Sequence, residues 1–343
     1  MTAGTSLDTS RSLLLMINHH VGNYVVSLPF LDAMAATCAT PPDILVDERF
    51  ACLARLLPHA GEIIPYAQQH RRGNKLRQAS DFVKLLGRIA GARYRTVFDV
   101  GGGIQSVTLA MATLSRNRIG LQRSRRSWAY TERLPPDTGI HASDRFMPFV
   151  TRLGLPRPGP LRLRPRAESF AALEALLPAV AGKPFAAFHP GAGYAFRQWP
   201  GDRFAQVADA LAARHGLRAV FVGAPGEEVF LDGIIGRMEH SGGASKLIAP
   251  LDVLLAMLDR ARVLISNESG PTHLAATTDT PIVTIFGPSK EANWRPVRTK
   301  DVTILRGVIC PPECRWGACK NDLRCVMDVS VDDVLQATDR HMA

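Results

Sequence analysis

Ser266, Asn267, Glu268, Ser269 and Gly270 follow a short apolar run, Val263-Leu264-Ile265, and are followed by Pro271-Thr272-His273. A second run, Ile282-Val283-Thr284-Ile285, leads into Phe286-Gly287-Pro288-Ser289. The two runs read as buried parallel strands, and the stretch between them as a turn and a short helix with Pro271 at its start. In an open α/β sheet such a turn lies at the carboxyl end of its strand, where ligands bind. The free N–H groups and dipole of the helix start suit a phosphate, and the Glu268 carboxylate suits the hydroxyls of a sugar or ribose. A plainer reading competes. Any α/β protein repeats strand–turn–helix units, and Ser269 and His273 would then only cap a helix.

A second segment points the same way. Pro184 to His189 reads as a strand, and Pro190-Gly191-Ala192-Gly193 as a turn that lets backbone approach a ligand. Phe196-Arg197-Gln198-Trp199-Pro200 opens a helix whose Phe204, Val207, Ala208 and Leu211 form an apolar stripe. Arg218 to Val222 is the next strand, ending in Gly223-Ala224-Pro225-Gly226-Glu227-Glu228. His-Pro-Gly-Ala, a basic residue two places before Trp-Pro, Val-Gly-x-x-x-Glu, Ser-Asn-Glu-Ser-Gly-Pro-Thr-His-Leu-Ala-Ala and Phe-Gly-Pro resemble, in order and spacing over residues 184–290, glycosyltransferase family 9, the bacterial heptosyltransferases that use ADP-heptose. The N-terminal half matches more loosely: Val21-Gly22-Asn23 through Pro29 is similar to the family's Gly-Asp-x-x-x-x-x-Pro opening.

The resemblance implies an inverting transfer by direct displacement, with no metal required and an oxocarbenium-like transition state. It implies a donor site at His189, Gly191, Ala192, Arg197, Gly223, Glu227, Glu268, Ser269, Gly270, Thr272 and His273. Arg197 stands where the family usually has Lys; it can still neutralise a pyrophosphate, and bidentately. A cation on developing charge is worth about 3–4 kcal/mol, against about 0.3–1 kcal/mol for a helix dipole. Glu268 stands where the family has Asp, which moves the carboxylate by one methylene. Asn23 occupies the position of the family's base, and an amide cannot take a proton. His20, or its neighbour His19, lies on the same loop and titrates in the right range; Asp99, at a neighbouring strand end, is the alternative. The acceptor implied is a lipopolysaccharide core or another anionic glycan. Two other readings stay open: a relative that glycosylates a protein or secondary metabolite, and a catalytically silent nucleotide-sugar binding protein.

Composition agrees with that class. The 343 residues allow two domains, and an apolar fraction of 46% is ordinary for a globular protein. Residues 1–166 carry 23 Lys and Arg against 11 Asp and Glu, and the remainder 18 against 20, so the net +10 belongs to the N-terminal half. No nucleic-acid module accompanies this charge and aromatic residues are few, which argues against a nucleic-acid partner. An anionic acceptor or a membrane surface fits it better, each juxtaposed cation gaining about 1 kcal/mol near an anionic bilayer. No apolar stretch is long enough to span a bilayer, and Leu13 to Ile17 is too short for a signal core, so the expected location is the cytoplasm with peripheral membrane contact.

The expected fold is α/β of the GT-B class: two Rossmann-like, doubly wound domains facing across a cleft that holds the active site. Residues 1–10 read as a disordered tail, 11–155 as an acceptor-binding domain, 156–183 as a linker, and 184–308 as the nucleotide-sugar domain. Residues 309–343 read as a Cys-rich loop and a helix over Ser330–His341 that returns to the first domain. Gly101-Gly102-Gly103 lacks the third glycine spacing of a dinucleotide fingerprint, so NAD binding is rejected. Cys310, Cys314, Cys319 and Cys325 fall within sixteen residues, wider-spaced than structural zinc pairs. They read either as a clip for structural zinc or iron, or as reduced thiols of a cytosolic protein.

Overall fold

The structure, a computed structural model, describes residues 7–18, 20–67, 75–122, 125–298, 301–309, 314, 319 and 321–342. The chain divides into two units, Met1–Leu161 and Arg162–Ala343. Unit 1 contains β1 (Ser12–Met16), β2 (Asp43–Asp47), β3 (Ile63–Tyr66), β4 (Thr96–Asp99), β5 (Asn117–Leu121) and β6 (Glu132–Leu134). Unit 2 contains β7 (Phe185–His189), β8 (Arg218–Val222), β9 (Ala244–Leu247), β10 (Val263–Asn267), β11 (Ile282–Ile285) and β12 (Val302–Leu305). The sheet orders are β3-β2-β1-β4-β5-β6 and β12-β11-β10-β7-β8-β9, with every pairing parallel. Counted within its own unit, each sheet has the doubly wound order 3-2-1-4-5-6.

The central strands are buried from end to end because both faces are covered. All five residues of Ser12–Met16 and of Val263–Asn267 are buried, as a parallel sheet wrapped by helices requires. The order reverses between β1 and β4 in unit 1 and between β7 and β10 in unit 2. At each reversal two neighbouring loops diverge to opposite faces and leave a crevice at the carboxyl ends. His189 and Asn267 end the two strands that flank the second crevice, and Asp99 ends one of those at the first.

Helix Gly201–His215 buries the anticipated stripe of Phe204, Val207, Ala208 and Leu211 and stops at Gly216, in the left-handed region at φ 65°. Trp199 lies beneath its start, and its indole Nε1 donates to the Val329 carbonyl at 2.9 Å. Three expectations need correcting. Residues 8–10, read as part of a disordered tail, are tied to unit 1: Thr96 Oγ1 donates to the Asp8 carbonyl at 2.7 Å, and the Ala39 amide to Thr9 Oγ1 at 3.0 Å. The stretch read as linker contains a helix, Ala167–Leu176, which packs on helix Leu251–Arg260 through buried Ser169 and Leu173. Ser169 Oγ donates to Asp252 at 3.1 Å, and the Arg260 guanidinium lies 4.5 Å from the Phe170 ring centre.

The C-terminal helix, Val331–Met342, packs within unit 2, against helix Gly201–His215 and the face of β10, β11 and β12. Val334, Leu335 and Ala337 join the same core as Phe204 and Phe221. Its outer side is tied by Asp339, which accepts from His215 Nε2 at 2.8 Å and Arg214 Nη1 at 3.1 Å. The relative worth of these contacts is measurable. Leu335→Ala should cost unit 2 roughly 2–4 kcal/mol in urea unfolding, because it empties a packed site. Asp339→Ala should cost less than about 1 kcal/mol, because its ion pairs are exposed.

Candidate functional site

The crevice of unit 2 is built on a carboxamide. Asn267, fully buried at the end of β10, accepts from the Trp199 amide at 3.0 Å and donates to the Pro190 carbonyl at 2.6 Å. One side chain thereby satisfies a donor and an acceptor of the β7 loop, which has no ladder of its own to do so. Nothing in the sequence singled out Asn267, although it lies inside the recognised motif. The next residue, Glu268, keeps its backbone in register through its amide, which donates to the Ile285 carbonyl at 3.0 Å, and turns its carboxylate into the crevice.

Glu268 Oε1 lies 3.6 Å from Arg197 Nη1, with both side chains largely buried, and the Ser289 hydroxyl lies against the same carboxylate. Burial raises the Glu268 pKa, and the Arg197 guanidinium opposes the shift. Arg197 is placed by its own loop: its guanidinium carbon lies 5.3 Å from the Tyr194 ring centre, and Tyr194 stacks on Phe196 at 5.1 Å. Gly287 makes room beside it, since a Cβ there would come within 3.5 Å of Arg197 Cα and 3.2 Å of Val326 Cγ2.

On the other side of the turn, Ser269 Oγ lies 3.0 Å from His189 Nδ1 and 3.2 Å from Thr272 Oγ1. Thr272 Oγ1 in turn donates to the Asn267 carbonyl at 3.0 Å. Burial pushes His189 down to about 4, so it is a neutral hydrogen-bonding group near pH 7. Gly191 approaches it closely, a Cβ there reaching 3.4 Å from the His189 ring and from Glu227 Oε1. Glu227 folds back on its own turn, Oε2 accepting from the Ala224 amide at 2.7 Å, and Gly223 leaves space for it. Ala192 follows Gly191 on the same loop, and Gly270 begins helix Gly270–Ala275. That helix is six residues long, so side chains rather than its dipole supply most of the field here. His273 is buried with its ring edge-on to Trp294 at 6.1 Å, a packing role beside the turn.

The residues expected in unit 1 lie apart from one another in role. His20 is exposed and precedes the first turn of helix Val21–Val25. Asn23 accepts from Arg145 Nη2 at 3.1 Å, a partner 122 residues away that no local pattern could reveal. His19 lies outside the described residues, as does Cys310. Cys325 is buried in the unit 2 core with Val326 and Val329, and Cys319 Sγ accepts from the amides of Asn321 (3.5 Å) and Leu323 (3.4 Å). Among the described residues no three His, Cys, Asp or Glu side chains converge as a metal site. Nor is any described helix long and apolar enough to cross a membrane.

Comparison with known proteins identifies the family. The sequence model of glycosyltransferase family 9 (heptosyltransferase) matches residues 82–321. Lipopolysaccharide heptosyltransferase 1 of Pseudomonas aeruginosa is 24% identical over 286 residues, covering 81% of this chain and 79% of that one. Among solved structures, a family 9 glycosyl transferase from Veillonella parvula superposes with a TM-score of 0.85 at 20% identity, over 99% of both chains. The Escherichia coli heptosyltransferase WaaC with ADP superposes with a TM-score of 0.74 at 20% identity, covering 96% of this chain and 99% of that one. With two doubly wound units of the GT-B fold class and a family match over most of its length, the chain belongs to glycosyltransferase family 9 and is a glycosyltransferase.

Proposed function

We propose that this glycosyltransferase moves heptose from ADP-heptose to a hydroxyl of a lipopolysaccharide core, with inversion at the anomeric carbon. The observation that carries the reading is the buried Glu268 carboxylate, set beside Arg197 and the Ser289 hydroxyl at the strand reversal of unit 2. A carboxylate has lone pairs for several donors, and each hydrogen bond from a hydroxyl of a bound sugar or ribose to this charged group would contribute about 1.5–3 kcal/mol. Relatives bearing the heptosyltransferase name, and the ADP held by the Escherichia coli protein, support the donor class.

In this reading the acceptor oxygen attacks the anomeric carbon, and the bond from that carbon to the pyrophosphate breaks with both electrons on ADP. Arg197 neutralises the charge that develops there, held by Tyr194 on one side and Glu268 on the other. Ser269, Thr272 and neutral His189 form a hydrogen-bonded wall beside the same turn, and Gly191, Ala192 and Gly270 let the backbone come close. The basic surface of unit 1 suits a phosphorylated glycolipid and peripheral contact with the cytoplasmic face of a membrane. Asn23 favours a second reading, a nucleotide-sugar binding protein without turnover, because its amide is tied to Arg145 and takes no proton.

Calorimetric titration with ADP, UDP and GDP tests the donor assignment. ADP should bind selectively, and Arg197→Ala should weaken it roughly 10- to 100-fold, the range of a lost charge-assisted hydrogen bond; equal binding of all three nucleotides overturns the assignment. Release of ADP from ADP-heptose that requires a lipopolysaccharide-core acceptor distinguishes the enzyme from the silent binder. Asn267→Ala should lower stability by about 2–4 kcal/mol and weaken ADP binding in parallel, since it strands the Trp199 amide and the Pro190 carbonyl. An unchanged melting temperature would refute the bridging role given to Asn267.

A further inference from the structure

Unit 1 carries its own constellation at the reversal between β1 and β4. Asp99 is almost wholly buried with both oxygens engaged: Tyr130 Oη donates to Oδ2 at 2.7 Å, and the Gly102 amide to Oδ1 at 2.8 Å. Glycines hold this pair together. A Cβ at Gly120 would overlap the Tyr130 ring, so only glycine at that point of β5 lets the phenol reach Asp99. A Cβ at Gly101 would sit 3.0 Å from the Ile17 carbonyl, and Gly102 takes φ 68°, which aims its amide at the carboxylate. Beside the pair is a cavity of about 70 Å³ lined by residues that include Asn18, Gly102, Tyr130, Arg145 and Phe146. It has room for a hydroxymethyl group or a few waters.

The direction of the Tyr130 hydrogen bond sets what the cavity can do. The one phenolic proton points at Asp99, so the lone pairs of Tyr130 Oη remain to accept from a hydroxyl that enters. Burial raises the Asp99 pKa to about 6, against hydrogen bonds from Gly102, Tyr130, Ser106 and Gly101, so near pH 7 it is largely ionised and able to take a proton. Burial, and then the Asp99 charge, raise the Tyr130 pKa, which keeps it a phenol that hands a proton on. The charged group nearest this cavity besides Asp99 is Arg145, whose guanidinium is oriented by Asn23. His20 is not among the lining residues.

We infer that Tyr130 and Asp99 are the proton relay of the transfer: the acceptor hydroxyl seats in this cavity and gives its proton to Tyr130 Oη as Tyr130 gives its own to Asp99 Oδ2. The inference rests on the glycosyltransfer reading above. The electron pair of the broken O–H bond forms the new bond to the anomeric carbon, and the bond to ADP breaks with its electrons on phosphate. Asp99 ends protonated and returns the proton through Tyr130 to water once product has left. Tyr130 is then the catalytic residue, Asp99 its proton store, and Asn23 positions Arg145 at the acceptor.

Steady-state transfer from ADP-heptose by the full chain, with Tyr130→Phe, Asp99→Asn and His20→Ala, tests the relay. Tyr130→Phe keeps the ring on Gly120 but strands Asp99 Oδ2, so it should lower the melting temperature while leaving the protein folded at assay temperature, where kcat isolates the hydroxyl. Its kcat should fall at least about 100-fold, the usual worth of general base catalysis, with the KM for donor and the affinity for ADP unchanged within about twofold. The wild-type rate should rise with pH through about 6 as Asp99 ionises, and Asp99→Asn should lose this limb. A Tyr130→Phe enzyme within about threefold of wild type, or His20→Ala abolishing transfer while Tyr130→Phe does not, overturns the relay and leaves the glycosyltransferase reading standing. A wild type that transfers from no nucleotide sugar overturns both.

Discussion

The unit 2 site depends on how one buried amide is satisfied. Asn267 sits where two loops leave the sheet in opposite directions, and neither loop can complete its backbone hydrogen bonds by pairing with the other. Its carboxamide presents one acceptor and one donor, matching the Trp199 amide and the Pro190 carbonyl. A carboxylate there could accept from the amide but could not donate to the carbonyl. Because Trp199 is also anchored through its indole to Val329, the bridge extends from the crevice to the segment before the C-terminal helix. Arg197, two residues before Trp199, inherits its position from this anchor, and Glu268, one residue after Asn267, inherits its own.

The two units solve one geometric problem with different chemistry. Each places a carboxylate at the strand reversal of a parallel sheet, but the partners differ. Glu268 faces a guanidinium and a serine hydroxyl, which suits binding. Asp99 is saturated by a phenol and two glycine amides, which suits holding or moving a proton without touching a ligand directly. Burial raises the pKa of both, and the neighbours decide what the raised value is for.

The sequence was most legible where the signal is periodic or local. The central strands, the stripe of Phe204, Val207, Ala208 and Leu211, and the turn residues of unit 2 all follow from runs of adjacent residues, and the structure brings His189, Ser269 and Thr272 together as one wall. Short edge strands were missed: Glu132–Leu134 and Ala244–Leu247 have mixed polarity because one side of an edge strand meets solvent. The helix Ala167–Leu176 was hidden by the Pro- and Arg-rich stretch that precedes it. Contacts across long sequence separations left no trace in local patterns. Arg145 with Asn23, Tyr130 with Asp99, and the packing of Val331–Met342 on unit 2 are all set by tertiary structure. Asp99 was noticed as a strand end, but the phenol that gives it a use is 31 residues away.

The packing of the last helix also bears on how the chain is made. One core of unit 1 draws on residues from Leu13 to Tyr130, and Phe30 packs on Phe146 on another side, so these contacts are in place before unit 2 is made. The core of unit 2 needs Phe185 and its neighbouring strands but also Val334, Leu335 and Ala337, near the far end of the chain. At translation rates of about 5–20 residues per second, roughly 10–40 seconds separate the two events. From their own synthesis until that of residue 334, Phe204, Phe221 and Trp199 lack part of their cover, and a ribosome that stalls before residue 334 leaves a folded first unit carrying an adhesive half-built second one. Demand for chaperone shielding therefore falls on unit 2, during the closing stage of its own synthesis.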